Sequence, residues 1–346
     1  MVNVSFPALL DGELYVPGLS TEYVAQKYGI PANRISKLAS AENPHGPSPK
    51  AVNAVAQAQS RLALYADWSA RDLREAIAAK YGFHPEGVVC GSGETEVISM
   101  VIRAFAAPDE PVLMHDPCFP LYRIYANCEG RRPVQVPMGK DFDPQIDVYI
   151  EALRRESPKI AFLTNPHNPS GRLMSEAEVR RICDAASPET LLALDEAYVH
   201  YSQDQIGMKL LKDYSNLIVL RTFSKAYGLA GLRVGFGISA NPDLISPLMR
   251  IKPTWNMGQM QIAGGVAALE DDEHVQRAYD TVVEMRDYVT RGVDMIDGFR
   301  SVPGSQANFF LTEILDPDLD STIVFNRLLK YLSMQAPAIP ELNEFS

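Results

Sequence analysis

The chain has 346 residues, 46% of them hydrophobic, enough for one large core or for a large and a small domain. Its formal net charge is -11, with Lys and Arg scattered, which excludes the basic stripe that nucleic acid requires. No apolar run is long enough to span a bilayer, and "MVNVSFPALLDGELYVPG" lacks the basic-then-apolar pattern of a signal peptide, so a cytoplasmic protein is expected.

From residue 87 to about 240 the pattern alternates between short β-rich runs and helical stretches. The strand candidates are "GVVC" (87–90), "PVLMHD" (111–116), "KIAFLT" (159–164), "LLALD" (191–195), "NLIVLR" (216–221) and "VGFGIS" (234–239). Several are continuously apolar, as strands covered on both faces should be. "ETEVISMVIRAFA" and "SEAEVRRICDAA" read as helices between them. This repetition predicts an α/β domain with a mostly parallel sheet. After residue 250 helical stretches dominate, with one strand candidate at "ANFFLTEI" (307–314), which predicts a smaller α+β domain. The divisions expected are an N-terminal arm (1–35), a large domain (36–245) and a small domain (246–346). The cysteines, Cys90, Cys118, Cys128 and Cys183, lack CxxC spacing and read as free thiols. The histidines form no HxH or HxxxH pair, so no metal site is expected.

Four segments carry chemistry. "CGSGETEVIS" (90–99) follows a strand and opens a helix. Gly93 lets backbone approach a ligand, and the free N–H groups of Glu94 and Thr95 suit a phosphate. Position 96 is Glu, so the GxGxxG dinucleotide pattern fails; an ordinary tight turn is the alternative. "LTNPHNPSG" (163–171) forces a sharply turned loop at a strand's carboxyl end, where Asn168 can reach into a ligand crevice. "LLALDEAYVHY" (191–201) ends a buried strand on Asp195, with Tyr198 following. A carboxylate there is costly unless paired, the alternative being a helix cap. "TFSKAYGLAGLRVG" (222–235) places Thr222, Ser224, Lys225 and Arg233 after the next strand.

Asn168, Asp195 and Lys225 thus converge on one sheet edge. A buried lysine loses its charge readily and can form a Schiff base with an aldehyde. A buried aspartate can keep a pyridine nitrogen protonated, and Arg233 with Ser224 can bind a phosphate. Pyridoxal 5'-phosphate is the ligand that needs all three.

These segments resemble the class I/II aminotransferases of PLP fold type I, most closely the histidinol-phosphate aminotransferase branch. "LYVPGLS" resembles that branch's N-terminal arm. "KLASAENPHGPSP" (37–49) resembles its "KLxSNENPxGPSP" signature, and "YADWSARDLREAIA" its "YPDxSxxxLRxAIA" segment. "TFSKAYGLAGLRVGFG" matches the lysine motif almost letter for letter. The resemblance covers residues 12 to 312. It implies that Lys225 holds the cofactor covalently and shuttles the Cα proton. It implies Asp195 on the pyridine nitrogen, Asn168 and Tyr198 on the ring hydroxyl, and Phe119 stacked on the ring. The phosphate falls to Gly93, the Glu94 and Thr95 backbone, Thr222, Ser224 and Arg233. Tyr65 resembles the tyrosine that reaches the neighbouring subunit's phosphate, which implies a homodimer with shared sites. Asn43, His45, Trp255 and Asn308 fall on the substrate side.

Three departures stand out. Ala41 replaces the signature's Asn, and His45 stands where the branch often has Tyr. Beyond "TIVFNRLLKYLSM" (322–334) the tail "QAPAIPELNEFS" contains no arginine, where family members carry one that grips the substrate carboxylate; Arg327 alone follows Arg300. The expected activity is transfer of an amino group from an amino acid or related amine to a 2-oxo acid. The alternatives are a specialised PLP decarboxylase, lyase, oxidase or cyclase, or a non-catalytic PLP-binding homologue.

Overall fold

The computed structural model describes residues 5–202, 204–332 and 334–335. The tail whose lack of arginine was noted above lies, from residue 336 on, outside the described residues. The centre of the fold is a sheet of seven strands: β1 (Val88–Gly91), β2 (Pro111–Asp116), β3 (Arg132–Pro137), β4 (Ile160–Thr164), β5 (Leu191–Asp195), β6 (Leu217–Thr222) and β7 (Gly235–Ile238). Their spatial order is β1-β7-β6-β5-β4-β2-β3. All neighbours are parallel except β7, which runs antiparallel to β1 and β6. The expected α/β class and mostly parallel sheet are therefore present.

Strand β3 went unread in the sequence because "RPVQVP" holds two prolines. It is an edge strand, bonded only to β2, where proline removes no needed donor.

Alternation along each strand sends side chains to two cores. Ala161, Leu163, Leu192, Leu194, Leu217 and Val219 face one; Ile160, Phe162, Leu191, Ala193, Ile218 and Leu220 face the other. Helices cover both faces, as continuously apolar strands require. The first core takes α1 (Pro49–Ala58) and α2 (Arg71–Tyr81); the second takes α3 (Glu94–Phe105) through Val97, Ile98, Val101 and Ile102. Further on, α4 (Pro242–Ile251) packs on the second core through Ile245 and Leu248. Helix α5 (Gln259–Leu269) packs on the first through Ile262, Ala268 and Leu269. Both helices contribute to the large core although they approach or pass residue 246.

C-terminal to these come the long α6 (Asp272–Asp294), an antiparallel pair β8 (Phe299–Ser301) and β9 (Thr312–Ile314), and α7 (Ser321–Arg327), which passes into a π-helical turn at Leu328–Leu332. The strand read at 307–314 is present only as β9. Residues before it turn instead: Ser305 Oγ donates to the Phe309 carbonyl, Ala307 is buried against Tyr198, and Gln306 N–H bonds the Gly171 carbonyl at 2.7 Å. Packing against Tyr198 and bonding to Gly171 override the apolar, β-prone local sequence.

Candidate active site

Sheet register assembles the site. Thr164 at the end of β4 pairs with Asp195 at the end of β5, and Asp195 pairs with Leu220 near the end of β6. On β7, Gly235 is the register partner of both Gly91 and Thr222. The loop after β1 and the loop after β6 therefore emerge on either side of one glycine. A Cβ on Gly235 would run into the Glu94 backbone.

Those two loops form a cradle. Gly93 caps α3 with φ 82°, a left-handed conformation that favours glycine, and a Cβ there would strike the Arg233 guanidinium. Arg233 reaches across to Thr95 Oγ1 at 3.4 Å and Ser224 Oγ at 3.4 Å, and Thr222 Oγ1 lies 3.0 Å from Ser224 Oγ. The first-turn N–H groups of α3 have no partner within the helix. A guanidinium, three hydroxyls and a helix N-terminus in one concavity are the donor set of a phosphate site.

Lys225 follows β6. Its Nζ donates to the Ser40 carbonyl at 2.7 Å and lies 5.2 Å from the centre of the Tyr198 ring. Burial lowers its pKa to about 8, and the positive charge of Arg233 adds to that, against the carboxylates of Glu42 and Asp195. An amine so placed has a far larger unprotonated, nucleophilic fraction near neutral pH than an ordinary lysine.

Asp195 is buried, with the Ala197 N–H donating to Oδ1 at 3.0 Å and the Tyr122 phenol donating to Oδ2. Tyr122 Oη also sits 3.0 Å from Thr164 Oγ1, and its ring stacks on Phe162 with centroids 4.4 Å apart. Beside Asp195 is a second buried carboxyl, Glu94. Burial pushes Glu94 well above the usual carboxylate range, and the adjacent Asp195 pushes it further. Burial raises Asp195 as well, while its bonds to Tyr122 and Ala197 pull it down. The proton of the pair therefore belongs to Glu94 and the charge to Asp195. Glu94 Oε1 is buried with no partner among the described residues.

Asn168 Nδ2 donates to Tyr198 Oη at 3.3 Å, and burial raises the Tyr198 phenol. Phe119 stands at the mouth, edge-on to Tyr122 and Tyr15. Asn43 is bonded to the Ala226 carbonyl at 2.7 Å, directly after Lys225, and His45 to Thr281 on α6 at 2.8 Å. Asn308 donates to the Ala41 carbonyl at 2.8 Å, while its buried Oδ1 has no partner among the described residues.

Two residues read into the site pair with each other at the surface. Tyr65 is 79% exposed and stacks on Trp255 with centroids 4.5 Å apart. Three participants went unread. Tyr122 sits within "DPCFPLY", but only the helix placing it under Phe119 reveals its aim. Glu94 was read for its backbone, not its carboxyl. His167 bonds the Pro117 carbonyl at 3.0 Å and Ser170 Oγ at 2.8 Å, joining the Phe119 and Asn168 loops.

Pyridoxal 5'-phosphate fits these residues. The cradle offers its phosphate a guanidinium and hydroxyls, Asp195 offers a buried charge to its ring nitrogen, and Lys225 offers an amine to its aldehyde.

A family model described as aminotransferase class I and II matches residues 33–342. A histidinol-phosphate aminotransferase of Anaeromyxobacter sp. (strain Fw109-5) is 40% identical over 91% of this chain and 85% of its own length. One from Moorella thermoacetica is 35% identical over 93% of this chain and 82% of its own. In structure, the histidinol-phosphate aminotransferase of Sinorhizobium meliloti, solved with pyridoxal 5'-phosphate, superposes with a TM-score of 0.86 at 24% identity, covering 100% of this chain and 99% of that one.

Proposed function

We propose that this chain, which belongs to the aminotransferase class I and II family and is a PLP-dependent transferase, takes histidinol phosphate and a 2-oxo acid as its substrate pair. The relatives at 40% and 35% identity over most of their length carry this reading. Bound cofactor supplies an aldehyde that receives the amino group and a ring that draws electrons from the substrate's Cα.

The chain's own residues do the rest. Arg233, Ser224, Thr222, Thr95, Gly93 and the first turn of α3 anchor the phosphate. Asp195, held charged by Tyr122, keeps the ring nitrogen protonated. Asn168 and Tyr198 bond the ring hydroxyl, and Phe119 covers a ring face. Lys225, with a pKa near 8, takes the proton from Cα and delivers it on the other side of the transfer. On the substrate side we place Asn308, whose buried Oδ1 calls for a donor, with Asn43 and His45 on the wall between Lys225 and α6.

The working unit we propose is a homodimer with shared sites. Tyr65, with Trp255 stacked on it, reaches for the partner's phosphate. The exposure of Tyr65, and of Leu14 and Val16 in the arm at 83% and 84%, supports burial against a second copy. Four free cysteines suit a reducing cytoplasm, and among the described residues no helix is long and apolar enough to cross a membrane.

The test is glutamate formation from histidinol phosphate and 2-oxoglutarate. Saturable turnover supports the reading. Turnover with other amino acids but none with histidinol phosphate overturns the substrate. Release of carbon dioxide or ammonia in place of transfer would assign a different reaction.

A further inference from the structure

In the segment Lys252–Gln261, Lys252, Asn256, Gln259 and Gln261 have no role in the chemistry above, yet each of these side chains is hydrogen-bonded. At one end it holds the loop that carries Tyr65. Lys252 Nζ donates to the Trp68 carbonyl at 2.5 Å and lies 5.2 Å from the centre of the Trp68 ring. Trp255 stacks on Tyr65, and Gln259 Nε2 donates to the Tyr65 carbonyl at 3.2 Å.

At the other end it holds the phosphate cradle. Asn256 Nδ2 donates to the Cys90 carbonyl at 3.1 Å and to Glu96 Oε2 at 2.7 Å. The same Glu96 oxygen accepts the Ser92 N–H at 2.6 Å. Gln261 Nε2 donates to the Arg233 carbonyl at 2.7 Å and lies 3.2 Å from Ser92 Oγ. Asn256 is the junction, because its Oδ1 also accepts from Lys252 Nζ at 3.1 Å. The path from Trp68 to the residues before α3 is thus a run of direct bonds, Trp68–Lys252–Asn256–Glu96–Ser92.

We propose that Lys252–Gln261 is a positioning bridge, with Asn256 at its centre, that makes the placement of the Tyr65–Trp68 loop depend on occupancy of the chain's own phosphate cradle. The proposal rests on the cradle being a phosphate site. Its consequence in a homodimer is that filling one site sets the tyrosine offered to the other. The physical basis is that Ser92 and Arg233 are held from behind by Glu96 and Gln261. An anion that draws in the Arg233 guanidinium and the α3 N–H groups loads those bonds, and the loop shares them.

The chain supplies its own reporter. It has two tryptophans, Trp68 and Trp255, and both lie at the loop end of the bridge. The experiment titrates cofactor-free full-length protein with inorganic phosphate, following heat by calorimetry and tryptophan emission in parallel. The bridge predicts that emission changes along the calorimetric isotherm. Asn256→Ala should raise the phosphate dissociation constant about tenfold, the loss of bonds to a charged partner. It should also cut the emission change to about a third or less of the wild-type amplitude. Tyr65→Phe removes the phenol that would touch a partner's phosphate directly, so it should weaken phosphate binding yet leave the emission amplitude at saturating phosphate unchanged.

Heat of binding with silent tryptophans overturns the bridge and leaves the phosphate site standing. So does an Asn256→Ala response equal to wild type, or a response lost in Tyr65→Phe. Absence of any binding overturns the phosphate reading, and the bridge with it. Circular dichroism checks folding. If Asn256→Ala is unfolded, Lys252→Met, which keeps the aliphatic stem on Trp68, takes its place with the same expectations.

Discussion

The phenol of Tyr122 donates its proton to Oδ2 of Asp195, from a helix that follows β2 to the end of a strand two places away in the sheet order. With the Ala197 N–H on the other oxygen, this bond favours the charged form of Asp195, while the adjacent buried Glu94 has no such donors among the described residues. Tyr122→Phe removes the donor and keeps the ring stacked on Phe162. A hydrogen bond to a charged group is worth ~1.5–3 kcal/mol, so cofactor affinity and the rate of amino transfer should each fall by about 10- to 100-fold. Cofactor titration and single-turnover rates measure both. An unchanged affinity would mean that Asp195 keeps its charge without help.

Gly93 is the tightest point of the cradle. At φ 82°, with a Cβ directed into Arg233, Gly93→Ala both strains the backbone and displaces the guanidinium. Cofactor affinity should fall by about 100-fold or more, combining backbone strain with a lost charged contact. Equilibrium dialysis against pyridoxal 5'-phosphate checks it, and the melting temperature of the cofactor-free form should fall less than that of the loaded form.

Lys225 gives a pH dependence with a definite sign. Burial is the main cause that lowers its pKa from the ordinary lysine value of 10.5 to about 8. Between those values the unfolded chain binds more protons than the folded one, so its contribution to stability rises with pH. That contribution is complete above about 10.5 and is lost as pH falls through about 8. Lys225→Met removes the buried charge. The cofactor-free variant should melt a few degrees higher (~3 °C) than wild type at pH 7, the gap closing towards pH ~10.5. Melting curves of the two cofactor-free proteins over that range test it, and a pH-independent gap would contradict it.

Glu196 and Arg221, both with fully buried side chains, form an ion pair at 2.6 Å behind the site. Arg221 also lies 4.9 Å from the centre of the Tyr81 ring, and Glu196 accepts the Gly207 N–H at 2.8 Å. Glu196→Gln leaves a buried guanidinium without its counter-charge. The expected cost is ~3–5 kcal/mol, read as a lower denaturant midpoint with an unchanged slope.

Much of this site was legible in the sequence because it is built on strand ends. Apolar runs that stop at Thr164, Asp195 and Thr222 mark both the strands and their carboxyl edge, and parallel register then puts Asp195 and the loops carrying Asn168 and Lys225 on that edge. The lysine and arginine motif, together with "KLASAENPHGPSP" and "YADWSARDLREAIA", carried enough letters to identify the family. What sequence spacing could not give was side-chain aim between distant elements. Tyr122 and Glu94 meet Asp195 only because their helices cross the same strand end, and Asn256 meets Glu96 only through the packing of the segment before α5. Prolines hid β3, whose edge position makes them harmless. Residues 307–311 looked like a strand because they are apolar, but Ala307 and Phe309 pack on Tyr198 and Tyr201 and not within a sheet.

The most direct test of the central claim is the visible absorbance of the cofactor-loaded protein during two additions in sequence. The account predicts that histidinol phosphate abolishes the cofactor's visible band in a single turnover, that 2-oxoglutarate restores it, and that Lys225→Ala responds to neither with turnover. A wild-type band that persists with histidinol phosphate, or that is lost and never restored by a 2-oxo acid, would contradict it.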